Sequence, residues 1–268
     1  ASITLNSDII TTVGHLTLTC KDNTIGGLVL AKAPGGTPQN IQAKENLFID
    51  AKDITSKAAG VTATADTGTV TVTGAWAANH EVALTSLVKT VTLNSDITTK
   101  EGHLTVTCNH NENGGLRLAK AGKDIVQNIQ AKENLSIDAK DITSAVVVTA
   151  TADLGTVTVT GAWAANQGVE VTSSKKTVTL NSDITTKEGH LTLTCKDGLL
   201  GLKKPAKSGT QNIQANENLF ILAAAIESLE AVTAKAVSGT VMVTGGWKAQ
   251  NEVAVTSLVS TVTLCSDI

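Results

Sequence analysis

Tyrosine is absent from this 268-residue chain, and only two Phe and three Trp are present, although 41% of the residues are hydrophobic. Large aromatics fill wide cores, so their scarcity points to a core only a few side chains across, built from Val, Leu, Ile, Ala and Thr. Those β-branched and small residues suit pleated strands better than helices. Arginine is nearly missing too, with Arg117 the single example, and the net charge is −3 without any block of one sign. A nucleic-acid partner is thereby excluded, since it needs a basic stripe for phosphates and aromatics for base stacking. No apolar run reaches the ~18–20 residues of a helical membrane span. The stretch opens at Ala1 with no charged-then-apolar leader, so a signal peptide is either lacking or outside it.

What is abundant is repetition. Thr-Leu-Asn-Ser-Asp begins at Thr4, Thr92 and Thr179 and returns as Thr-Leu-Cys-Ser-Asp at Thr263. Gly-His-Leu-Thr begins at Gly14, Gly102 and Gly189; Gln-Asn-Ile-Gln-Ala begins at Gln39, Gln127 and Gln211; Gly-x-Trp ends at Trp76, Trp163 and Trp247. The order never changes. This gives three repeats of roughly 87 residues (3–90, 91–177 and 178–261), with the start of a fourth at 262–268, within one domain.

Each repeat carries a finer period. Segments such as LTLTC from Leu16, VTATA from Val61 and VTVTG from Val70 alternate apolar with polar or small residues. That is the signature of strands with one buried face. Taking every second segment, the starts at Ile3, Leu28, Leu47, Val70 and Val91 suggest one coil per ~20 residues, a β-solenoid. The expected fold is therefore all-β, a parallel β-helix of about twelve coils, four to each repeat. A β-sandwich shares the segment spacing but has no reason to reproduce the same apolar columns three times. Asn6, Asn94 and Asn181, with Gly14, Gly102, Gly189, Gly74, Gly161 and Gly245, are placed at corners, and Gly26–Gly27 and Gly114–Gly115 at turns.

Residues with chemical potential follow the repeat instead of gathering. Cys20, Cys108 and Cys195 share one position; four coils apart they are ~19 Å from each other, too far for disulfides, and their parity makes them core residues. Cys265 takes a corner Asn position and is expected to be exposed. His15, His103 and His190 read as hydrogen-bonding loop residues, and His80 and His110 as solvated, with no CxxC or HxxxH spacing to support a metal. The acids Asp8, Asp96, Asp183 and Asp267, Asp50 with Asp138, and Asp53 with Asp141 are distributed too evenly for the ~5–9.5 Å carboxylate pair of a glycosidase. Calcium-binding Gly-Gly-x-Gly-x-Asp strings are absent. Thr-x-Thr strings raise the idea of an ice-binding rank, but the assumed stacking of ITLNS, LVLAK, LFIDA and VTVTG interrupts the threonines. Trp76, Trp163 and Trp247 are expected to pack in the core or at corners. No catalytic residue, cofactor or metal ligand is assigned.

The strings GHLTLTCKD (14–22), ENLFIDAKDITS (45–56), ENLSIDAKDITS (133–144) and GTVTVTG (68–74) resemble the haemagglutinin-type repeats of bacterial two-partner-secretion exoproteins, the shafts of filamentous haemagglutinin and contact-dependent-inhibition adhesins. The resemblance implies a right-handed parallel β-helix outside a bacterial cell that carries adhesive or toxic parts. The expected function is a non-catalytic structural and adhesive shaft, whose partners are a host or cell-surface receptor or glycan, and further copies joined end to end or a longer shaft. A polysaccharide-acting β-helix enzyme and an ice-binding protein are the alternatives.

Overall fold

A computed structural model describes residues 2–20, 27–33, 37–57, 60–108, 114–122, 125–205 and 209–266. All 27 strands among them belong to one sheet, and every strand pairing is parallel. The expected parallel β-helix is what the chain adopts. Within a strand the burial alternates, as in Val61–Ala65 and Leu104–Cys108. Inner side chains such as Ile49, Leu84 and Leu104 are fully buried, and burying each stabilises the fold by about 1.5–3 kcal/mol relative to exposure.

The coils form three stacks. The first climbs from Ile3 through Leu28, Ile54, Trp76, Ile97 and Ile129, then through Ala150, Val171, Leu193, Ile221 and Val243 to Leu264. The second runs from Ile9 through Ile41, Ala63, Leu84 and Val106 to Ala249. The third runs from Leu16 through Leu47, Val70, Val91 and Leu116 to Val255. The solenoid therefore makes about eleven turns, or ~53 Å at ~4.8 Å per strand.

Eleven turns shared among three repeats is not a whole number each. Every repeat supplies eleven strand segments to three stacks, so it spans three and two-thirds coils, where four were expected. Val91, the counterpart of Ile3, lies in the third stack. Val178 lies in the second, and Val262 returns to the first. Successive repeats are thus related by a screw that advances three and two-thirds coils and turns the unit by a third of a revolution. The expected column Ile3, Leu28, Leu47, Val70, Val91 is corrected accordingly, because Leu28 pairs with Ile54 while Leu47 rests on Leu16.

The discrepancy arises at bent strands. Leu47–Ser56 serves two stacks, with a register shift between Asp50 and Asp53. Val70–Ala78 bends above it at Gly74, whose φ is 110°. A Cβ there would stand 1.8 Å from the carbonyl oxygen of Ala51. Gly161 and Gly245 repeat the bend at φ 114° and 111°. The glycines expected at corners are confirmed at these sites, and at Gly14, Gly102 and Gly189 with φ between 74° and 76°. Gly27 and Gly114 precede strands, but Gly115 opens one instead of forming a turn; Gly26 lies outside the described residues.

Candidate functional site

The recurring polar residues bind one coil to the next. Gln39, Gln127 and Gln211 are buried amides. Gln127 Nε2 donates to the carbonyls of Leu93 and Ser95 at 3.0 and 2.9 Å, and its Oε1 accepts from the Lys120 amide at 3.2 Å. Gln39 and Gln211 make the same bonds to Leu5, Ser7 and Lys32, and to Leu180, Ser182 and Lys204. A buried amide left unpaired would be costly, and here it is fully used. Beside each stands an ion pair: Lys32 with Asp8 at 2.9 Å, Lys120 with Asp96 at 2.7 Å, and Lys204 with Asp183 at 3.0 Å. The lysines also donate to the carbonyls of Pro38, Val126 and Thr210, closing the long loop of each repeat. The Asn40 amide and the Lys32 ammonium hold the Asp8 carboxyl below its ordinary pKa. The first three recurring aspartates are thus loop staples, which the sequence reading did not assign; Asp267 lies outside the described residues.

The histidines have the hydrogen-bonding role expected. His15 Nδ1 accepts from the Asn46 amide at 3.2 Å, and Nε2 stands 3.3 Å from Glu45. His103 does the same with Asn134 and Glu133, whereas His190 Nδ1 both accepts from the Asn218 amide at 3.3 Å and stands 3.3 Å from Glu217. Asn46 Oδ1 in turn accepts from the Thr69 amide at 2.8 Å, carrying the ladder into a third coil. His80 is half exposed and 3.5 Å from Glu101; His110 lies outside the described residues. Cys20, Cys108 and Cys195 are buried, and Cys265 is exposed. Burial pushes the thiols of Cys108 and Cys195 up to about 11, which keeps them protonated and unreactive at neutral pH. Among the described residues, no three His, Cys, Asp or Glu side chains gather where they could hold one metal ion.

The tryptophans pack inside as expected. Each indole donates to a serine one coil earlier: Trp76 to Ser56 at 2.8 Å, Trp163 to Ser144 at 3.2 Å, and Trp247 to Ser228 at 3.1 Å. They fall in the first, third and second stacks respectively.

On the outside, the true stacking rearranges the threonine files. On the second stack one file reads Thr62, Ala83, Thr105, Ser136, Thr158, Thr179, and beside it stand Thr64, Thr85, Thr107, Asp138, Thr160. The screw sends the corresponding stretches of the neighbouring repeats to other stacks, where Phe48 and Phe220 interrupt them. No family model matches the chain, and no curated protein or solved structure is similar to it.

Arg117 is among the surface positions that differ between the repeats. Arg117 points outward from the third stack between Thr92 and Thr143, where the other copies carry Val29 and Gly201. A hollow of about 300 Å3 lies on one side, lined by Arg117, Thr143, Asn166 and Lys187 among others. Another of about 460 Å3 lies on the other, lined by Thr90, Thr92, Arg117 and Asp141.

Proposed function

We propose that this chain is a length of non-catalytic shaft, a rod that holds adhesive surfaces away from a bacterial cell. The observation that carries the reading is the repeat of three and two-thirds coils. Such a repeat shows each surface feature to three directions in turn, as suits a strut approached from any side. A catalytic cleft or a flat rank for a crystal lattice would gain from a whole number of coils, which keeps one kind of residue on one face. The polar ladders spend the recurring Asp, Lys, Gln and His residues on joining coils, which supports a load-bearing role. The likeness of strings such as ENLFIDAKDITS (45–56) to haemagglutinin-type repeats agrees with an extracellular place.

Because Val262 regains the stack of Ile3, further repeats or further copies of the block would continue all three stacks in register. A tandem fusion of two copies should appear in electron micrographs as one rod about twice as long, ~53 Å becoming ~106 Å. A jointed or collapsed particle would refute the shaft. Sedimentation at rising concentration tests association of separate copies, and protease shaving of producing cells tests surface exposure. Release of reducing ends from an acidic polysaccharide, abolished by one Asp substitution, would replace the shaft by an enzyme.

A further inference from the structure

We infer that the two hollows flanking Arg117 form a saccharide site, one that takes a sugar ring bearing a carboxylate together with a neutral neighbour. This deepens the adhesive part of the proposal above by naming a place and a class of ligand. The argument begins with where the repeat is broken. At the outward position of the strand Gly115–Leu118 the middle repeat alone has a cation, Arg117. Next to it, Ala145 replaces the Lys57 and Leu229 of the other copies, and the shorter side chain leaves the first hollow open. In the first repeat the Asn79 amide donates to the Lys57 carbonyl at 2.8 Å. Its counterpart Asn166 makes no such side-chain bond among the described residues, so this exposed amide is available to a ligand. Arg117 likewise has no ion pair among the described residues.

The charges divide between the hollows. The first has two cations, Arg117 and Lys187, and no acid in its lining. A guanidinium binds a carboxylate through two parallel hydrogen bonds, and an ammonium adds a point charge. In the second hollow the charge of Arg117 is balanced by Asp141, and the hydroxyls of Thr90, Thr92 and Thr143 stand among the other lining residues. Acceptors and donors without net charge suit sugar hydroxyls. Both volumes are within or at the edge of the ~300–1,000 Å3 typical of ligand sites. Few large apolar side chains line either hollow, which favours a saccharide over a peptide with apolar anchors.

The test is calorimetric titration of the whole chain with hexagalacturonate, maltohexaose and hexaglutamate at low salt. Hexagalacturonate should bind at least roughly tenfold more tightly than either of the others, and Arg117→Val should weaken it by roughly tenfold or more, the scale of one charge-assisted hydrogen-bonded contact. Equal binding of maltohexaose, or no change in Arg117→Val, overturns the inference. Equal binding of hexaglutamate also overturns it, leaving a general anion patch. Arg117 is outside the core, so the variant should melt as the parent does and keep the rod length. The saccharide site can therefore fail while the shaft stands, and a collapsed rod would be visible separately.

Discussion

At Gly161 the chain turns a corner within one residue, whereas the strand Gly115–Leu118 is followed by the next one only at Val126. The tight corner depends on a backbone that only glycine adopts without strain and on the closeness of the Ala139 carbonyl. The long corner depends on a buried amide, a lysine and an aspartate that close the loop from three sides. The difference shows two ways of keeping neighbouring coils in register. Steric necessity suits a bend with no room, and hydrogen bonding suits a bend with too much.

The largest effect should come from the long corner. Gln127→Leu strands the Ser95 carbonyl and the Lys120 amide, while the Leu93 carbonyl keeps its bond from the Ala119 amide, and should cost about 2–3 kcal/mol in denaturant unfolding. A loss under 1 kcal/mol would mean that water replaces the amide. Gly161→Ala comes next: a Cβ would meet the Ala139 carbonyl oxygen at 2.2 Å in a backbone of φ 114°. We expect a loss of about 2–3 kcal/mol, and an unchanged melting temperature would show the bend to be adaptable. Trp163→Phe keeps most of the buried ring but removes the bond to Ser144, and about 1 kcal/mol should be lost; a double cycle with Ser144→Ala isolates that bond.

The smallest effect is a response to acid at one long corner. The folded Asp8 carboxyl has a pKa below its ordinary 3.8, so its contribution is complete above pH ~3.8 and fades as the pH falls through the lower folded value. Hydrogen exchange of the Asn40 amide should therefore rise, after correction for intrinsic rates, only in that acid window, and Asp8→Asn should remove the dependence. The same pH response in the variant would assign it to another group.

The sequence made the strands legible because alternation needs only neighbours along the chain. It also revealed the three repeats, the buried cysteines and tryptophans, and the corner glycines. Counting coils failed at particular places. In LFIDAKDITS the adjacent polar residues Lys52 and Asp53 mark a slip in the alternation, with both exposed, and this slip announces a second strand segment from Ile54. Trp76 marks another, since the alternation of VTVTG resumes beyond Gly74 in a new stack. The short Ile9–Ile10 strand is a third. The stapled loops were harder to foresee: Asp96 and Lys120 stand 24 residues apart, and Gln127 another 32 from the Ser95 carbonyl it binds. Recurrence of all three residues in every repeat was the available signal. Arg117 was visible as an exception, but the hollow beside it depends on Ala145, whose counterpart side chains are brought near only by the stacking.

The fractional coil count also bears on how such a chain grows. When the unit is duplicated, a substitution already fixed in it is copied to a different compass bearing, and only the fourth copy faces the way the first did. Sticky residues acquired in one unit are therefore scattered around the circumference instead of aligned along a seam. Two such rods lying side by side find no long matching stripe, so lengthening the chain by duplication does not by itself make it bundle.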